Sequence, residues 1–104
     1  MIKITLSVFF LLSAASLFGA DAAAGKTVFG TKCRACHGAD GQGNPAIAKA
    51  MNVELKPFSS DEVQKKSDAD LKAAITAGTG KMKPVAIAGA DLDNTVAYIR
   101  TLKK

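Results

Sequence analysis

A chain of 104 residues with two Cys, one His and no Trp is at most one small domain. That length excludes a multidomain enzyme, no stretch repeats as an array would, and two Cys cannot make a disulfide-dense scaffold. With 48% apolar residues, a charged fraction of 22% and a formal net charge of +5, the composition is not that of a disordered chain.

The N-terminus carries an address before any fold begins. Lys3 gives a small positive start, Ile4 to Phe18 is nearly all apolar, and small residues follow from Gly19 to Ala24. This order is that of a secretory signal peptide, and the apolar run falls short of the roughly 20 residues a membrane-spanning helix needs. The pattern predicts residues 1–22 as the signal and 23–104 as the domain. Ala20 and Ala22 then occupy the small-residue positions of the cleavage site, with Ala24 as an alternative. An uncleaved N-terminal anchor is the competing reading. Removing residues 1–22 leaves 82, of which fifteen are Ala and eighteen are larger apolar residues. Eighteen large side chains contribute about 1.5–3 kcal/mol each when buried, against about 1–2 kcal/mol for ordering each residue. The margin is thin enough to call for a bound group as a staple.

The domain reads as all-α. A first helix is expected over Ala22 to Lys32, with Val28 and Phe29 on its apolar side. A short helix over Ala46 to Met51 should follow Pro45. Ser59 with Glu62 predicts a capped turn near residues 60–65. Ser67 and Asp70 predict a helix through Leu71, Ala74 and Ile75 to Ala77, with Gly78 just past its end. Asp91 and Asp93 favour the start of a last helix and Lys103 and Lys104 its end. Leu92, Val96, Ile99 and Leu102 form that helix's apolar stripe. The expectation is three main helices, one or two short ones, and two Gly- and Pro-containing loops over Gly38 to Pro45 and Gly78 to Gly89.

The chemistry lies in residues 33–37, Cys33-Arg34-Ala35-Cys36-His37. This C-x-x-C-H order is the attachment signature of a c-type haem. Two thiols three positions apart can reach the two vinyl groups on one edge of the macrocycle, and the adjacent imidazole can face the iron. Random placement of two Cys and one His produces this order roughly once in five thousand arrangements. Three other readings compete. A thioredoxin-like dithiol needs βαβ patterning, which the chain lacks. A structural zinc site needs four ligands, and no further Cys or His exists. A disulfide across two residues is cramped for the usual Cα separation.

At this point the chain resembles the small class I monohaem c-type cytochromes of bacteria. The resemblance is carried by Ala24-Gly25-Lys26-Thr27-Val28-Phe29, by the attachment motif with Gly38, by Asp40-Gly41-Gln42-Gly43, by Gly78-Thr79-Gly80-Lys81-Met82-Lys83-Pro84, and by Tyr98-Ile99-Arg100-Thr101-Leu102. These stretches stand in the family's order and span essentially the whole domain. The resemblance implies the cytochrome c fold around one haem c bound through Cys33 and Cys36, with His37 and Met82 as axial ligands of the iron. Met82 lies 45 residues after His37 in a Gly-containing loop. Met51 is the alternative thioether, more at home packing near the haem. Here Lys83 separates Met82 from Pro84, where the family often has Pro directly after this Met. The resemblance also implies that Pro45 offers its carbonyl to the second ring nitrogen of His37, and that Gly25 and Phe29 pack on the last helix near Tyr98.

The implied function is that of a soluble periplasmic one-electron carrier between respiratory redox proteins, and not an enzyme. Lys32, Arg34, Lys81 and Lys83 could steer acidic partners, or form only a solvated surface. Nucleic acid is not an expected partner, and the carrier is expected to be a monomer. Two other readings stay open: a haem-based sensor or weak peroxidase, should Met82 leave the iron open, and a tethered subunit of a membrane complex.

Overall fold

In the computed structural model, which describes residues 19–103, every predicted helix but the last starts at a side-chain cap. Helix α1, Ala22–Lys32, starts at Asp21, whose carboxylate accepts from the amides of Ala23 and Ala24 at 2.9 and 3.1 Å. Its limits are those predicted. Asp21 also donates its own amide to the Asn94 side chain at 2.8 Å. Cleavage after Ala22 would remove this cap. Residues 1–18 of the predicted signal lie outside the described residues. Among the described residues no helix is long and apolar enough to cross a membrane.

A single helical turn, α2, runs from Arg34 to His37 and so contains most of the attachment motif. Helix α3, Pro45–Met51, has Asn44 as its cap and Pro at its first position, where a missing N–H costs nothing. It ends on Asn52 in the left-handed conformation. Helix α4, Asp61–Gln64, is capped by Ser60 rather than by the predicted Ser59, because the Ser60 hydroxyl accepts from Val63 at 3.4 Å. Helix α5, Asp68–Ala77, has the predicted Ser67 cap and ends on Gly78 at φ 78°. Helix α6, Gly89–Thr101, begins before the two acidic residues expected to start it and has no side-chain cap. Among the described residues three long helices are thus joined by three short ones, one more than the sequence suggested.

Helices α1 and α6 make the most extensive helix–helix contact. Gly25 brings the two backbones together, since a Cβ built there would stand 1.8 Å from the Asn94 carbonyl oxygen. Phe29, 1% exposed, fills the space beside this crossing, 5.1 Å from the Tyr98 ring and 5.7 Å from the Phe58 ring. Val96 and Ile99 of the predicted stripe are buried, with Leu92 and Leu102 half-buried against them. Among the described residues, nine apolar side chains are buried.

Arg100 ties α4 and α5 to α6. Its guanidinium donates to the carbonyls of Gln64 and Lys66 at 2.8 and 2.6 Å and to the Asp68 carboxylate at 2.8 and 3.1 Å. Arg100→Ala strands these acceptors and, with the site partly exposed, is expected to cost about 1–2 kcal/mol. Thermal unfolding of the haem-loaded protein reads this, and Arg100→Lys should recover little, because one ammonium cannot reproduce the fork.

Candidate functional site

The helices leave an apolar cavity of about 740 Å³, within the roughly 300–1,000 Å³ of cofactor sites. Ile47 and Met51 of α3, Leu71 and Ile75 of α5, and Val53, Leu55, Phe58, Val63, Val85 and Ile99 line it. Cys33, Cys36, His37 and Met82 all open onto this same space. Residues 45 positions apart in the chain therefore border one cavity.

The attachment motif is held by the loop after it. Gly43 and Asn44 donate their amides to the carbonyls of His37 and Cys36 at 2.7 and 2.9 Å, and the Asn44 side chain donates to Ala35 at 3.2 Å. These bonds satisfy the carbonyls that a one-turn helix leaves over. Cys33 is buried and Cys36 exposed, so the two thiols sit at different depths. Burial pushes the Cys33 thiol up from its usual value.

Burial pulls His37 down, so its imidazole is neutral at neutral pH and has a lone pair to give. The Phe58 ring lies against it at 4.7 Å and 32°. Phe58 is a site residue that the sequence reading did not single out. Its signal was its place, outside every predicted helix, in a segment with no other aromatic. The His37 Nδ1 atom is buried and has no hydrogen-bond partner. The expected bond to the Pro45 carbonyl is therefore not made. Pro45 is the first residue of α3, where a carbonyl points along the helix toward amides of the next turn. Pro45 does not line the cavity either.

Met82 is half-buried at the end of a tight turn. Its amide donates to the Thr79 carbonyl at 2.9 Å, and the Thr79 amide donates to the Met82 carbonyl at 3.1 Å. Gly78 permits the approach to α5, since a Cβ there would meet the Met82 carbonyl oxygen at 2.5 Å. Beyond the turn, the Val85 amide donates to the Ile75 carbonyl at 2.8 Å. The loop thus hangs from the end of α5 at both its ends. Met51 also borders the cavity but is 36% exposed at the end of α3. Around the mouth stand Lys32, Lys56, Lys66, Lys81 and Lys83, against one acidic residue, Glu54.

Two thiols, a neutral imidazole and a thioether around one apolar slot form a donor set suited to a covalently held haem. The helical fold and this site define a c-type haem protein. The chain belongs to the cytochrome c family, whose family model matches residues 22–103. It is 37% identical over 89 residues to cytochrome c-554(547) of Halothiobacillus neapolitanus, covering 80% of this chain and 98% of that one. Among solved structures it is similar to the KustC0563 c-type cytochrome, with a TM-score of 0.64 and 25% identity over 77% of this chain and 98% of the other. The cofactor is haem c, and the chemistry is haem-based electron transfer.

Proposed function

We propose that this chain is an exported, monomeric one-electron carrier of the periplasm, not an enzyme, serving respiratory redox proteins. Its haem is held by Cys33 and Cys36 and ligated by His37 and Met82. The observation that carries this reading is the apolar cavity onto which all four side chains open. The haem supplies one-electron Fe(II)/Fe(III) exchange. The chain's own residues do the rest. His37, neutral through burial, offers its lone pair; Met82 offers a soft thioether that favours the reduced state; and the apolar walls keep water from the iron. With His37 and Met82 both holding the iron, no site would be open to a substrate. The lysines at the mouth give a docking face for acidic partners. The use of Asp21 as the cap of α1 favours a signal cleavage that leaves Asp21 in the mature chain.

The test is an optical spectrum of protein matured with haem-attachment machinery, beside Met82→Ala. The wild type should be low-spin, with a Met-to-iron charge-transfer band in the oxidised form and no reaction of the reduced form with carbon monoxide. The variant should lose the band completely and bind carbon monoxide. An open iron in the wild type would replace the carrier with a sensor or a peroxidase.

A further inference from the structure

Lys81 and Lys83 flank Met82 in the sequence, but the structure separates them. The Lys81 ammonium crosses the cavity mouth and donates to the Met51 carbonyl at 2.7 Å. Among the described residues, Lys83 makes no such bond. Met51 ends α3, and its carbonyl belongs to the last turn, which has no amide ahead of it. The following amides, of Asn52 and Val53, fold back instead to Lys49 and Ala48. That carbonyl lies at the negative end of the helix, where an ammonium is favoured.

The bonds that hold the Met82 loop otherwise stay on one side of the cavity. The turn from Thr79 to Met82 closes on itself, and the Val85 amide returns to α5. The Lys81–Met51 bond is, among the described residues, the one hydrogen bond linking residues 78–84 to the opposite wall. A loop pinned only at α5 could swing its tip away from the slot; a loop also tied to α3 cannot do so without breaking this contact.

We infer that Lys81 is a positioning residue, a latch from the Met82 loop to the end of α3 that sets how readily Met82 leaves the iron. The inference rests on the proposed His37/Met82 ligation. It also assigns different work to the two lysines: Lys81 is committed to the loop, and Lys83 is free to meet a partner.

The experiment is a titration of the oxidised, haem-loaded protein with imidazole, which competes with Met82 for iron, followed by loss of the Met-to-iron band. Lys81 is exposed, so its variants should fold. Lys81→Ala should bind imidazole about three- to tenfold more tightly, the effect of losing one largely exposed charged hydrogen bond. Lys81→Arg, long enough to donate to the same carbonyl, should restore wild-type affinity. Lys83→Ala should leave it unchanged. Wild-type affinity in Lys81→Ala overturns the latch, as does an equal rise in Lys83→Ala, which would make charge the cause. A wild type without the band overturns the ligation reading itself, whatever the variants do.

Discussion

Matured without haem, as in the Cys33→Ala/Cys36→Ala variant, the chain should show no cooperative thermal transition and no fixed near-UV circular dichroism. Among the described residues nine apolar side chains are buried, and five of them, Cys33, Val63, Leu71, Ile75 and Ile99, line a cavity of about 740 Å³. That space is open to solvent, so when empty it fills with water and wets the apolar faces of α3 and α5, the same surface whose burial would have held them. A domain with only roughly 5–15 kcal/mol of net stability cannot spare that burial. The cavity has no inexpensive state except one filled by a large apolar group. His37 adds to this, because its Nδ1 atom is already buried without a partner and costs about 1–3 kcal/mol. A native near-UV spectrum and a sharp transition in the haem-free variant would show that the protein's own packing suffices.

The helix limits were legible wherever a side chain marks them. Ser67, Gly78 and Lys32 each satisfy or complement a helix end, and a cap is a local bond that the sequence displays. Helix α6 begins at Gly89 without a side-chain cap, so nothing local marked its first turn. The choice between Ser59 and Ser60 turned on one residue of phase, which composition cannot resolve. Helix α2 was missed because a turn of four residues has no periodicity to read. At the site, Cys33, Cys36, His37 and Met82, which spacing and family resemblance together singled out, border one cavity. Phe58 and Lys81 were not legible, because an aromatic against the imidazole and an ammonium on a carbonyl 30 residues away are products of tertiary packing. Pro45 shows the opposite failure, since a role carried over with a motif still depends on where a carbonyl points, and here α3 directs it elsewhere.

Two glycines of α1 should respond in opposite directions to the same added methyl group. At Gly25 the Cβ would stand 1.8 Å from the Asn94 carbonyl oxygen, 2.4 Å from its carbon and 2.9 Å from the Thr95 amide nitrogen. All three are backbone atoms of α6, so no side chain can rotate out of the way. Helix α1 must move off α6, and the move disturbs the packing of Phe29 against Tyr98 and uncovers Thr95, which is 0% exposed. Asp21 would also be drawn from the Asn94 side chain. Overpacking typically costs about 1–3 kcal/mol and more where neighbours cannot yield, so Gly25→Ala should lose at least about 3 kcal/mol. For a domain of this size that lowers the melting temperature by on the order of 15 °C or prevents accumulation. At Gly30, the residue after Phe29, a Cβ meets nothing within 4 Å. Gly30→Ala removes only the helix penalty of glycine and should gain about 0.5–1 kcal/mol. Melting both variants of the haem-loaded protein separates close backbone approach from helix propensity. A mild loss in Gly25→Ala would mean that α1 and α6 can slide apart, and that the haem, rather than this crossing, holds the two helices in place.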